Sequence, residues 1–130
     1  MIRSHRGPEF RLVIPGRGYS FRTQAATSYK RRIRRIARGV FPSPTSSPVE
    51  ISIDYFHSSP RRFDLDNLAK CIIDALSGIA YLDDKQVRRH ITVGHNLRTS
   101  VIIHDSPVDL VKPLRRYSDY VFIRVKSVSA

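Results

Sequence analysis

Apolar side chains recur along the chain in two rhythms. Residues 49–56 (VEISIDYF) alternate apolar and polar positions, the period of a half-buried strand. From residue 65 onward the spacing becomes helical, with Leu65, Leu68, Ile72, Ala75, Leu76 and Ile79 on one face of a helix over 65–77 that Gly78 stops. A second helix is expected over 23–38, with Thr23 as its cap and Gly39 at its end, because Ala26, Tyr29, Ile33, Ile36 and Val40 recur every three or four positions. Shorter apolar runs at 10–14 (FRLVI), 87–93, 99–104 (TSVIIH) and 120–127 (YVFIRVKS) predict four more strands. The turn-rich PSPTSSP at 42–48 is too short to separate domains, and no internal repeat is present. The pattern predicts a single α+β domain over 1–130, a mixed sheet of about five strands packed against two main helices, with residues 1–9 outside the ordered part.

Charge narrows the function. Of 130 residues, 23 are Lys or Arg and 11 are Asp or Glu, a net charge of +12 that recruits polyanions. Residues 1–40 hold eleven of these cations (among them Arg17 and Arg22) and one acid, Glu9. Six cations lie on the expected helix 23–38: Lys30, Arg31, Arg32, Arg34, Arg35 and Arg38. No acid lies between residues 10 and 49 to pair with them, so backbone phosphates are the expected partners, with a solvated helix face as the alternative. No apolar run approaches membrane-spanning length, the opening MIRSHRGPEF lacks a secretory apolar stretch, and Cys71 is the single cysteine. A cytoplasmic, membrane-free setting is expected.

Within this basic chain, residues 54–84 hold six of the eleven acids: Asp54, Asp64, Asp66, Asp74, Asp83 and Asp84. Carboxylates repel the nucleic-acid backbone, so a purely electrostatic clamp gains nothing from them. Asp64 and Asp66 share a side if the helix begins after both, since alternate residues of an extended chain point the same way. Lys70 follows Asp66 by four residues, and Asp83–Asp84 return to the same helix start if the chain doubles back antiparallel. Such carboxylates suit a hard divalent cation, Mg²⁺ with Mn²⁺ as a substitute, which activates water for phosphodiester hydrolysis while a nearby Lys offsets developing charge. The bland alternative makes Asp64 a helix cap and Asp83–Asp84 a turn. The five histidines show no metal-ligand spacing, and His57 is the one beside the acidic centre. Arg61 and Arg62 precede the carboxylates directly and are expected to touch phosphate. Cys71 reads as a small buried apolar residue.

The run RRFDLDNLAKCIIDALSGIAYLDDKQV, residues 61–87, resembles the core signature of the RusA-type Holliday junction resolvases: D-L-D-N, a Lys four residues after the second Asp, D-A-L, a Gly turn, then D-D-x-Q-V. The resemblance implies a Mg²⁺-dependent homodimeric endonuclease placing paired nicks in four-way DNA junctions, in recombination and repair. By motif position it makes Asp64, Asp66 and Asp84 metal-binding catalytic carboxylates, Lys70 the supporting cation and Asp83 an auxiliary ligand. The chain departs from the family pattern at PGRGYSFRTQ, which lacks the paired prolines and Asn of the family's N-terminal loop, and residues 105–118 are longer than that pattern leads one to expect. Two rival readings remain: a non-catalytic nucleic-acid binder, and a metal nuclease acting on RNA or other branched DNA.

Overall fold

Strand alternation and helical periodicity each find their partner in one two-layer unit. The computed structural model describes residues 6–18, 24–58, 64–97 and 119–128. In chain order these form β1 (Arg6–Pro15), α1 (Gln24–Arg38), β2 (Val49–His57), α2 (Leu65–Leu76), β3 (Val87–Asn96) and β4 (Tyr120–Val128), with a 3₁₀ turn over Asp84–Gln86 before β3. The α+β class is as expected. Four strands form one mixed sheet in the order β1-β4-β2-β3; the fifth expected strand, 99–104, the cap Thr23 and the stretch 105–118 lie outside the described residues. β4 runs antiparallel to both β1 and β2, whereas β2 and β3 are parallel.

The odd-numbered positions of β2 explain why the two layers adhere. Val49, Ile51, Ile53 and Tyr55 join Leu12, Ile14, Val121, Ile123 and Val125 in one apolar cluster with Ala26, Tyr29, Ile33 and Ala37 of α1 and Leu68, Ile72, Ala75 and Leu76 of α2. Both helices therefore cover the same face of the sheet. The opposite face carries a smaller cluster of Phe56, Tyr120 and Phe122. Cys71 is fully buried in the main cluster, and burial pushes its thiol up to about 11, as an inert packing residue requires. Among the described residues no helix is long and apolar enough to cross a membrane.

Strand ends differ from those the pattern predicts. β1 begins at Arg6, so residues 6–9, expected outside the ordered part, are strand; they pair with β4 through a register shift between Arg6 and Glu9. β3 continues to Asn96 because β2 continues opposite it to His57. Gly39 has no left-handed backbone, whereas Gly78 adopts φ 87° just beyond the C-cap Ser77 of α2, its N–H donating to the Tyr81 carbonyl at 2.7 Å. A Cβ at Gly78 would meet nothing within 4 Å, so only backbone strain opposes a side chain there. Gly78→Ala is expected to lower unfolding stability by about 1 kcal/mol, read as a shifted urea midpoint with unchanged slope.

Candidate active site

Parallel β2 and β3 dictate where the acidic residues lie. The connection leaves the end of β2, must return to the start of β3, and does so through α2, which therefore runs antiparallel to both strands. The first residue of α2, Leu65, lies against Gly94 near the end of β3, where an added Cβ would stand 3.4 Å from Leu65 Cδ2. Past the far end of α2, Gln86 Nε2 donates to the carbonyls of Thr45 and Ser47 at 2.8 and 2.9 Å, just before β2 begins. Asp64 and Asp66 thus sit at one end of α2 and Asp83–Asp84 beyond the other. The 12 residues of α2 separate the two ends by about 18 Å.

At the first end, Asp64 is the N-cap, with φ −79° and ψ 96°, so the helix begins between Asp64 and Asp66, not after both. The Asp64 carboxylate accepts the Asn67 backbone N–H at 3.1 Å on Oδ1 and the Asn67 side-chain amide at 2.6 Å on Oδ2. The capping role therefore holds, and Asn67, not singled out in the sequence, fixes the carboxylate from both sides; its position at N3 of the helix is the signal that could have found it. Asp66 and Lys70 are exposed on the following turns. His57 ends β2 at this end of the sheet, its ring 5.0 Å from that of Tyr55 and its buried Nδ1 without a hydrogen-bond partner among the described residues.

At the second end, Asp83 caps the 3₁₀ turn by accepting the Lys85 N–H at 2.8 Å, while Gln86 Oε1 accepts the Asp83 N–H at 2.9 Å. The Lys85 N–H, aided by a hydrogen bond with Asp84, holds the Asp83 carboxyl below its ordinary value. That same hydrogen bond, together with the charges of Asp83 and Asp74, raises Asp84. Asp84 therefore feels the last turns of α2. The antiparallel return to the start of that helix, expected from the sequence, is corrected: parallel pairing of β2 and β3 delivers the pair to the helix's other end.

Two of the six acids serve elsewhere. Asp74 pairs with Lys30 of α1. Asp54, on the helix-free face, holds His95 Nε2 at 2.8 Å and Arg124 at 3.5 Å, a cross-strand network that no local spacing announces. Its charge and, more strongly, burial push Tyr120 up to about 12. The cations of α1 also divide. Lys30 binds Asp74, Arg34 Nε donates to the Ala75 carbonyl at 3.1 Å and Arg32 donates to the Pro15 carbonyl at 2.9 Å. Arg31, Arg35 and Arg38 project into solvent, as does Arg17. Arg22, Arg61 and Arg62 lie outside the described residues.

The family model described as endodeoxyribonuclease RusA matches residues 10–104, well over half of the chain. The chain belongs to this family. No curated protein matches it. Membership of the RusA family makes the chain an endodeoxyribonuclease of a group that resolves Holliday junctions, and the match spans both acidic ends of α2. Exposed aspartate oxygens are the hard donors that Mg²⁺ prefers, and each Asp64 oxygen keeps a lone pair beyond its bond to Asn67. The donor chemistry fits such a cation. A complete shell is another matter: among the described residues of one chain, no three His, Cys, Asp or Glu side chains are grouped to hold a metal ion.

Proposed function

We propose that the chain is a Mg²⁺-dependent endonuclease that nicks four-way DNA junctions as a homodimer, each site combining Asp64 and Asp66 of one copy with Asp84 of the other. The observation that carries this reading is the separation of the two carboxylate sets by the length of α2 within a chain of a nuclease family. A two-fold dimer supplies two such sites, as paired nicks require. Asp64, Asp66 and Asp84 would hold the cation, with Asp83, next to Asp84 in the chain, as an auxiliary ligand. When bound, the cation supplies an activated water and a clamp on the scissile phosphate. Lys70, four residues beyond Asp66, offsets the charge gained by the phosphate in the transition state. Asn67 keeps Asp64 oriented before substrate arrives.

The test is a panel of four-way junction, flap, duplex and RNA substrates, each with Mg²⁺, Mn²⁺ or EDTA. Symmetric nicks in the junction with either cation and none in EDTA are expected. Equal cleavage of RNA or plain duplex would replace junction selectivity with a general nuclease, and binding without cleavage would return the aspartates to caps and turns.

Solvent-facing Arg31, Arg35 and Arg38 are assigned to the DNA backbone. Replacing all three with Gln preserves helix propensity and should reduce the slope of log affinity against log salt by about 0.9 per lost phosphate contact, equally for junction and duplex. Titrations at several salt concentrations measure it.

A further inference from the structure

We infer that the turn Gly16–Arg17–Gly18 presents the Arg17 guanidinium to a DNA phosphate beside the scissile one, at the Asp64–Asp66 end of α2. This rests on the reading of those aspartates as a nuclease site and adds the residue that seats the strand against them.

The strand register decides where this turn lies. Pro15 at the end of β1 registers with Tyr120, and Tyr120 registers with Phe56 near the end of β2. The segment leaving β1 therefore emerges beside the one that leads from β2 to Asp64. Asp119 ties the two together. Its carbonyl accepts the Gly16 N–H at 2.9 Å, and its Oδ1 accepts the Ser58 N–H at 3.1 Å and the Ser58 hydroxyl at 3.0 Å.

The backbone is fixed on both sides of Arg17. Gly16 has φ 94°, and a Cβ there would stand 3.1 Å from Arg32 Nη1, which donates to the Pro15 carbonyl. The Gly18 N–H donates to the Tyr55 hydroxyl at 3.2 Å, and a Cβ at Gly18 would stand 3.2 Å from Leu68 Cδ1 and 3.4 Å from Tyr55 Cζ. Helical side chains lean toward the N-terminus, so Leu68 covers the first turn of α2, the turn that Asp64 caps. Gly18 is thereby seated against that turn. Arg17, between the two glycines, is exposed and has no hydrogen bond or ion pair among the described residues. Arg35 and Arg38, by contrast, occupy the last turn of α1.

Three carboxylates around one divalent cation leave the site negative, so an approaching phosphodiester needs further positive charge. The scissile phosphate faces the cation and Lys70, which leaves a neighbouring phosphate for Arg17. A guanidinium fork holds two phosphate oxygens at once, fixing orientation as well as charge. Because the backbone of the turn is already held, little ordering is left to be done when the strand arrives.

Four-way junctions carrying one uncharged methylphosphonate at successive positions around the nick locate the contact. Neutralising the phosphate held by Arg17 should slow nicking by the wild-type chain by about 10–10²-fold, the scale of one charge-assisted hydrogen bond. Arg17→Gln should be slowed by a similar factor on the all-phosphate junction at subsaturating protein, and should lose nothing further at that one linkage while staying sensitive at the others. Arg17→Lys should recover part of the rate. Arg31→Gln, on α1, should weaken binding yet keep the sensitivity at that linkage. The inference is overturned if Arg17→Gln nicks at the wild-type rate, or if it is slowed but keeps the wild-type linkage profile; either result leaves the nuclease site standing. Absence of nicking by the wild-type chain itself would overturn the nuclease reading, and this inference with it.

Discussion

A mixture of the Asp66→Asn and Asp84→Asn proteins is expected to nick junctions although neither does so alone. Each single substitution removes a carboxylate from every site and should lower turnover by about 10²–10³, the scale of a lost transition-state stabiliser. In a mixed dimer with sites shared between copies, one site collects both defects and the other collects none. Random exchange of subunits leaves about one quarter of the wild-type number of intact sites by two-fold symmetry. Such dimers carry one working site, so the product should be a nicked junction and not two resolved duplexes, a difference visible on native against denaturing gels. If each site were built within one chain, mixing would restore nothing. Junction binding by either variant should persist or tighten, because a removed carboxylate no longer repels phosphate.

Lys70→Met should lower single-turnover nicking by about 10² while leaving junction affinity within a few-fold. The side chain is exposed on α2 and the apolar stem is retained, so the fold has no reason to change. Lys70→Arg keeps the charge but not its shape and should recover part of the rate. Full activity in Lys70→Met would remove this residue from the chemistry.

The helices were legible because their signal is local. The stripe through Leu68, Ile72 and Leu76 and the one through Tyr29 and Ile33 repeat at helical spacing, and both are buried where that spacing puts them. The cap at Asp64 was legible too, since a carboxylate before an apolar periodic run has few other local uses. What escaped the sequence depends on strand pairing. Arg6 to Glu9 are strand only because β4 lies opposite, and His95 meets Asp54 only because β3 and β2 share a ladder. The position of Asp83–Asp84 belongs to the same class. Nothing within residues 77–86 tells whether the next strand pairs parallel or antiparallel to β2, and that choice alone decides which end of α2 receives the pair.

The contacts of Lys30 and Arg34 carry a consequence for how the chain melts. The last turn of α2 contains no basic residue of its own; Arg34 of α1 donates to its Ala75 carbonyl and Lys30 of α1 pairs with Asp74. Docking of α2 in turn gives Lys30 and Arg34 of α1 these partners. Fraying of either helix at this junction breaks both contacts, so the two are expected to open and close as one cooperative unit whose amides exchange with solvent together.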